Sequence, residues 1–338
     1  MKPPAFWRAG GEAHIAAQLL KPAAALYAAA HARNLRRARA EAVGVPIICI
    51  GNATLGGTGK TPATLALAAA FSGLGWRPHI LSRGHGGALK GPLAVDGAQH
   101  RAADVGDEAL LHANAAPAWV SRDRVAGARA AAEAGAGVIL MDDGYQNPSL
   151  TKDVSILVID AEAGFGNGLG FPAGPLREPP QAALSRADAV LFTGPLGAAS
   201  IPPHLMRAAG PLPKFRAWLE PEGPMPPGPY LAFAGIGRPE RFFTLLRQLG
   251  ADVKAEQAFA DHHAYRGGEL RGLVRQAEAL GARLITTEKD FVRLPPDERQ
   301  AITMLPVSMR FDDENRLVDL IAKKTGLAVP SPPKRAAP

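Results

Sequence analysis

Short apolar runs alternate along the first two thirds of the chain with segments whose apolar positions recur at helical spacing. The apolar runs predict buried strands at 45–51, 79–82, 138–141, 154–159 and 189–192. The segments between them predict helices at 60–74, 107–116 and 122–134. Strands that alternate with helices indicate an α/β fold in which helices cover both faces of a parallel sheet.

A Pro-rich stretch at 211–229 predicts a linker, after which the same rhythm resumes. Beyond it the pattern predicts strands at 230–234, 252–259 and 283–287, and helices at 239–249, 269–280 and 314–324. We therefore expect a larger domain at 41–220, a smaller C-terminal α/β domain at 221–328 and a disordered tail at 329–338.

The N-terminal segment, 1–40, contains an Ala-rich helix that is interrupted by Lys21, Pro22 and His31. A spanning helix needs about 20 strongly apolar residues, so we do not expect this one to cross a membrane. Aromatic residues precede it, and a basic cluster follows it at Arg33, Arg36, Arg37 and Arg39. Two readings stay open: a helix lying on an anionic membrane surface, or an Ala-rich helix packed on the domain with a solvated Arg face.

Composition narrows the class of protein. The chain has 338 residues, of which 47% are hydrophobic and 20% charged, as in folded globular proteins. The net charge of +7 favours acidic partners, which could be nucleotides, phosphorylated substrates, anionic lipids or nucleic acids, and does not choose among them. We expect no nucleic-acid partner, because the sequence carries no recognisable nucleic-acid-binding signature. The single cysteine, Cys49, excludes an intrachain disulfide and a Cys-cluster metal site.

A glycine-rich loop joins the first predicted strand to the helix at 60–74, which is the context of a phosphate-binding P-loop. The expected ATP-binding residues are Thr54, Leu55, Gly56, Gly57, Thr58, Gly59, Lys60 and Thr61. Lys60 would contact the β- and γ-phosphates, and the Thr61 hydroxyl would bind Mg²⁺. Thr54 replaces the usual first glycine, and we expect Gly56 and Gly57 to supply the turn. Leu55 stands where partitioning-type ATPases have a signature lysine, which counts against that class.

Two carboxylates, Asp142 and Asp143, follow the predicted strand at 138–141. Alone, they would indicate a surface turn at a strand end. Because a phosphate loop precedes them, we expect them to act as the acidic pair that supports Mg²⁺ in P-loop enzymes.

Several other polar clusters could supply the group that activates a phosphate acceptor. They lie at 82–86, 105–108, 121–124, 174–179, 259–263 and 286–290. Taken singly, each has a structural reading: for example, Asp107 could cap a helix and His262 could cap a turn.

Together these clusters resemble the tetraacyldisaccharide 4′-kinases, the lipid A 4′-kinases of Gram-negative bacteria. The resemblance runs from the N-terminal helix to about residue 325. It rests on eight ordered motifs: Gly-Asn-x-x-x-Gly-Gly-x-Gly-Lys-Thr-Pro (51–62), Ser-Arg-Gly (82–84), Gly-Asp-Glu (106–108), Asp-Asp-Gly-x-Gln (142–146), Phe-Gly-Asn-Gly with Pro-Ala-Gly-Pro-Leu-Arg-Glu-Pro (165–168 and 172–179), Ala-Gly-Ile-Gly-x-Pro-x-Arg-Phe-Phe (234–243), Phe-x-Asp-His (259–262) and Thr-Glu-Lys-Asp (287–290).

The resemblance implies transfer of the ATP γ-phosphate to the 4′-hydroxyl of a tetraacylated glucosamine disaccharide 1-phosphate. It implies activity at the cytoplasmic face of the inner membrane, with the protein held there by its N-terminal helix. We expect anionic inner-membrane lipid as a partner, and no obligate protein partner is evident from the sequence. Asp107 and His262 would activate the acceptor beside Lys60. The implied metal ligands are Thr61, Asp142, Asp143 and Glu178, and the implied substrate contacts are Arg83, Glu108, Arg122, Gln146 and Arg177. The sequence departs from the family pattern at two positions, where His85 replaces a common Tyr and Ala109 a common Pro.

Two other functions stay open on the sequence alone. A kinase for a soluble acceptor would keep its activity without residues 1–40. A non-catalytic nucleotide switch would dimerise with ATP and hydrolyse it slowly, without transfer to an acceptor.

Overall fold

A computed structural model describes residues 4–197 and 200–329 of the chain. From residue 330 onward, the tail predicted to be disordered lies outside the described residues. The strands are β1 Ile47–Gly51, β2 Pro78–Ser82, β3 Leu93–Ala94, β4 Ala118–Val120, β5 Val138–Asp142, β6 Val154–Asp160, β7 Ala189–Gly194, β8 Lys214–Pro221, β9 Pro229–Ala234, β10 Asp252–Ala258, β11 Arg283–Thr287, β12 Ile302–Leu305 and β13 Val307–Phe311.

The α-helices differ from the predicted ones mainly in their ends and in several short additions. They are α1 Ile15–Arg37, α2 Lys60–Gly73, α3 Ala102–Val105, α4 Asp107–Ala115, α5 Arg124–Glu133, α6 Pro180–Leu184, α7 Pro203–Ala209, α8 Pro239–Gln248, α9 Gly267–Ala279, α10 Glu288–Phe291 and α11 Glu314–Thr325.

The larger sheet has nine strands in the order β13-β8-β7-β6-β1-β5-β2-β4-β3. The strands from β8 to β4 pair in parallel, and β13 and β3 are antiparallel edges. Every residue of β1, β5 and β6 is buried, as expected for central parallel strands covered on both faces. Because β5, β1 and β6 are parallel neighbours, their carboxyl ends meet at one edge of the sheet, where ligands bind in open α/β folds.

The predicted linker contains a strand. Residues Lys214–Pro221 form β8 and pair in parallel with β7. Within it, Phe215 and Ala217 alternate with more polar residues and are buried in the core. Flanking prolines concealed this short period-2 pattern, so the prediction of an irregular linker across 211–229 was wrong for these residues.

The C-terminal boundary also differs from the expected one. Strand β13 pairs with β8, and Leu317 and Ile321 of α11 are buried in the core of the larger sheet. The chain thus leaves the larger sheet after β8 and returns to it at residue 307. We refer to the nine-stranded part as the first lobe and to the intervening four-stranded part as the second lobe.

The second lobe is a parallel sheet in the order β10-β9-β11-β12. Alternate residues of β9 face opposite sides. Leu231 and Phe233 pack in one cluster with α9, whereas Tyr230 and Ala232 pack in another with α8. This sheet carries the loops that follow β9 and β10 towards the first lobe.

Helix α1 combines features of both readings of the N-terminus. Its Ala17 and Ala24 are buried, so one face packs on the domain. Ile15, Leu19 and Leu26 are 76%, 75% and 74% exposed. Among the helices in the described ranges, none combines the length and apolarity needed to cross a bilayer.

Candidate active site

The predicted phosphate loop lies between β1 and α2, at the edge where the central strands end. Gly59 has φ +84°, and a Cβ there would lie 3.2 Å from both Met309 Cε and Thr193 Cγ2. The Thr193 hydroxyl donates to the Thr58 carbonyl over 2.8 Å. On the other side of the loop, the Leu55 N–H donates to the Pro175 carbonyl over 2.7 Å. The loop is therefore fixed on two sides, and the N–H groups at the start of α2 face the site where an anion would bind.

Asp142, at the end of β5, is buried beside the phosphate loop. Its Oδ2 lies 2.9 Å from Thr61 Oγ1 and 2.9 Å from His112 Nε2. Its Oδ1 is buried and, within the described residues, has no hydrogen-bond partner. A free carboxylate oxygen next to the loop threonine fits a Mg²⁺ ion that takes its other ligands from phosphate and water. No cluster of three His, Cys, Asp or Glu side chains suited to a metal occurs in the described part of the chain.

Asp143 adopts φ +52° and contacts two cations. Its carboxylate lies 3.7 Å from Lys60 Nζ and accepts a bidentate pair of hydrogen bonds from Arg177, at 2.9 and 3.2 Å. Burial opposes ionisation of this carboxyl, but the charges of Lys60 and Arg177 outweigh burial and lower its pKa. Asp143 thus holds the predicted phosphate-binding lysine and Arg177 at one place.

Gln146, Arg177 and Glu178 form one connected network. Arg177 Nη1 donates to Gln146 Oε1 over 3.2 Å, and Gln146 Nε2 donates to Glu178 Oε1 over 3.0 Å. Glu178 is buried, and Arg186 Nη2 contacts both of its oxygens at 2.8 and 2.7 Å. A guanidinium thus neutralises this carboxylate while it also accepts from Gln146, and the role of Glu178 as a metal ligand stays a prediction.

Asp107 and His262 come together from different lobes. Asp107 begins α4 in the first lobe, and His262 lies after β10 in the second, with φ +57°. His262 Nδ1 lies 2.9 Å from Asp107 Oδ2. Burial opposes ionisation of Asp107, but the hydrogen bond from His262 and the charges of Lys289 and Arg293 lower its pKa to about 2.

Two further ion-pair groups join the lobes. Lys289 Nζ lies 2.8 Å from Glu108 Oε1, beside the Asp107–His262 pair. Burial raises the pKa of Glu108, but the charge of Lys289 outweighs it and the pKa is lowered. At the end of β6, Asp160 is contacted by Arg238 at 3.0 Å and Arg241 at 2.7 Å, both from the second lobe.

The two remaining predicted substrate residues, Arg83 and Arg122, are exposed, on loops after β2 and β4. Near them, Arg124 is buried at the start of α5. Burial and then the charge of Arg83 lower the pKa of Arg124 to about 10. Arg83 and Arg124 therefore belong to one positive region at this end of the sheet, which suits a phosphorylated ligand.

Sequence reasoning missed His112 and Arg293. His112 lies on α4 between buried apolar residues, so its position looked like an ordinary core site. Arg293 follows the Thr-Glu-Lys-Asp motif by three residues, and it contacts Asp107 Oδ2 through Nε at 3.2 Å. The signal for Arg293 was its closeness in sequence to a motif whose Lys289 also reaches the first lobe.

Comparison with known proteins agrees with the resemblance seen in the sequence. A family model described as tetraacyldisaccharide-1-P 4′-kinase matches residues 16–326. A tetraacyldisaccharide 4′-kinase of Rhodospirillum centenum is 50% identical, covering 95% of this chain and 96% of the relative. One from Methylobacterium nodulans is also 50% identical, covering 98% of each.

A solved structure has the same fold. It is LpxK from Aquifex aeolicus in complex with ATP, with a TM-score of 0.71 and 26% identity. The match covers 91% of this chain and 99% of that one. The chain therefore belongs to the tetraacyldisaccharide-1-phosphate 4′-kinase family.

Proposed function

We propose that this chain transfers the γ-phosphate of ATP to the 4′-hydroxyl of a tetraacylated glucosamine disaccharide 1-phosphate, a step of lipid A biosynthesis. Family membership supports the substrate and the reaction. The observation that carries the mechanism is the 2.9 Å contact between Asp107 and His262, which joins the two lobes. A phosphate loop binds ATP but does not activate the acceptor hydroxyl, whereas an Asp–His pair can do so.

The nucleotide side of the site is formed by Lys60, Thr61 and the acidic pair. Lys60 would contact the β- and γ-phosphates, and Asp143 holds its ammonium group in place. Thr61 and Asp142 would hold Mg²⁺, which when bound neutralises charge on the phosphates. Arg177, fixed on Asp143, adds a further positive charge at the same place.

The acceptor side is formed by the Asp107–His262 pair. If Nδ1–H of His262 donates to Asp107, its Nε2 is left to accept the proton of the sugar hydroxyl. The hydroxyl oxygen then bonds to the γ-phosphorus while the bond from phosphorus to the ADP oxygen breaks. With a pKa of about 2, Asp107 is ionised at neutral pH and stabilises the imidazolium that forms.

The two lobes lie close together at the phosphate loop, which supports the exclusion of water from this reaction. A Cβ added to Gly237 of the second lobe would lie 3.6 Å from the backbone nitrogen of Gly57 in the phosphate loop. A site covered in this way limits wasteful hydrolysis of ATP.

We also propose that α1 lies on the anionic cytoplasmic face of the inner membrane. The exposed Ile15, Leu19 and Leu26 support this placement, as does the basic cluster that begins at Arg33. The partners are then the lipid A disaccharide precursor and anionic lipid.

The experiment that tests the proposed function is transfer of ³²P from γ-labelled ATP to the purified tetraacyl disaccharide 1-phosphate. We expect labelled lipid with the natural chain and none with Lys60→Ala, whose thermal unfolding should match that of the natural chain. Lys323→Ala is the matched control, because Lys323 is exposed in the last turn of α11. ATP hydrolysis without labelled lipid would support a nucleotide switch instead, and turnover by Lys60→Ala would remove the phosphate-loop assignment.

A further inference from the structure

We propose that Arg293 is a positioning residue that aligns the Asp107–His262 pair across the two lobes. The inference rests on the proposed function, because it assigns a role within the same site. Arg293 follows α10 in the second lobe, and only 6% of its side chain is exposed. Its guanidinium contacts both the carboxylate of the pair and the backbone that carries the histidine.

The contacts within the second lobe fix the loop of His262. Arg293 Nη1 donates to the carbonyls of Gly235 and His263, over 3.0 and 3.3 Å. The Gly235 carbonyl also accepts from the His262 N–H over 3.0 Å. His262 has φ +57°, a left-handed conformation that a non-glycine residue keeps only where its surroundings hold it. Arg293 is one of the groups that hold it.

The contact across the lobes fixes the carboxylate. Arg293 Nε lies 3.2 Å from Asp107 Oδ2, the same oxygen that lies 2.9 Å from His262 Nδ1. One carboxylate oxygen thus lies against both the imidazole and the guanidinium, while the Arg293 Nε–H itself donates to the Lys289 carbonyl over 3.0 Å. The two contacts oppose rotation of the Asp107 carboxylate away from His262 while the lobes are together.

Arg293 is itself held in place by Asp290, which is fully buried. Asp290 Oδ1 lies 3.1 Å from Arg293 Nη2 and accepts from Tyr265 over 2.6 Å and from the Gly235 N–H over 2.9 Å. A planar guanidinium can contact the two carboxylates and the two backbone carbonyls at once, whereas a lysine ammonium on a flexible stem cannot. We therefore expect Arg293→Lys to keep the charge and still lose alignment.

The consequence is specific to acceptor activation. Misplacement of a reacting group by about 1 Å can cost on the order of 100-fold in rate. We expect kcat to fall by about that factor in Arg293→Met, and by a smaller factor in Arg293→Lys. The KM for ATP should stay near its natural value, because Arg293 contacts the acceptor side of the site and the loop that carries His262.

The test compares Arg293→Met and Arg293→Lys with Arg275→Met in the lipid transfer assay. Arg275 is the control: it lies in the same lobe, exposed on α9. Its replacement should leave kcat nearly unchanged. Guanidinium ions added to Arg293→Ala should restore part of the lost rate, whereas methylammonium should not, which separates alignment from a general loss of structure.

A double mutant completes the test. If Arg293 acts through Asp107, then Arg293→Met should cost little further rate in an Asp107→Asn background. Near-natural kcat in Arg293→Met, with Asp107→Ala inactive, would overturn this inference and leave the proposed function standing. Full activity of Asp107→Ala would overturn the acceptor mechanism itself. If Arg293→Met fails to fold, an Arg293→Lys protein that folds and keeps its full rate overturns the inference in the same way.

Discussion

Asp107 is the residue on which contacts from both lobes converge. Its Oδ1 accepts from the Glu108 N–H over 2.9 Å, while its Oδ2 is contacted by His262 and Arg293 from the second lobe. Three contacts of this kind stabilise the ionised carboxylate although the side chain is buried. The same ionised group that would orient His262 therefore also contributes to folding.

This coupling predicts a pH-dependent loss of stability in Asp107→Asn. The pKa of Asp107 falls from an ordinary value of 3.8 to about 2 in the folded state. A lowered pKa adds stability that is present above the unfolded value and is lost as the pH falls through the folded one. The shift corresponds to about 2 kcal/mol at neutral pH.

Chemical unfolding at several pH values measures this effect. The difference between the natural chain and Asp107→Asn should be largest at pH 7 and should narrow as the pH falls from about 4 to 3. Asp319→Asn, on the exposed face of α11, is the control and should show no such trend. A difference that stays constant over this range would contradict the assignment.

Among the elements, α1 makes a prediction of its own. Changing Ile15, Leu19 and Leu26 together to Ser should weaken sedimentation with anionic vesicles, because their exposed side chains supply the apolar contact. Changing Leu280 to Ser, an exposed apolar residue of the second lobe, should leave binding unchanged. Because the Arg cluster adds electrostatic attraction to anionic lipid, binding should be weaker to neutral vesicles and at high salt. Equal binding of the triple variant would place the membrane contact elsewhere.

Some elements of the fold and the site could be predicted from the sequence, and others could not. The phosphate loop and Asp142 could be located because each follows a run of buried apolar residues, and parallel strands bring such positions to one edge. β8 was missed because prolines flank its short alternation. Arg293 and His112 were missed because periodicity does not distinguish a buried polar side chain that contacts a candidate site residue from an ordinary core position.

At the scale of the whole molecule, the second lobe is inserted between β8 and β13 of the first. The helical pattern of α11 was visible in the sequence, but an apolar stripe does not say which sheet it covers. In the structure Leu317 and Ile321 pack with Ile48 of the larger sheet and with Leu67 of α2. The two lobes are therefore connected by two chain crossings, and the second lobe places His262 against Asp107 of the first.

This topology predicts that residues 1–220 alone do not fold. They lack β13 and α11, and each large aliphatic side chain lost from a core costs about 2–5 kcal/mol, against a total stability of about 5–15 kcal/mol. A chain ending at 329, which keeps both elements, is the control and should unfold cooperatively on heating. Cooperative thermal unfolding of 1–220 would show that the first lobe is independent of them.

The central claim is that Asp107 and His262 act as one unit on the acceptor hydroxyl. The most direct measurement is kcat for ³²P transfer to the tetraacyl disaccharide 1-phosphate by the natural chain, Asp107→Ala, His262→Ala and the double mutant, with ATP affinity measured alongside. We predict large losses in both single mutants, nearly unchanged ATP affinity, and a double mutant little slower than the slower single one. Losses that multiply in the double mutant would mean that the residues act independently, and full activity of His262→Ala would exclude it as the base.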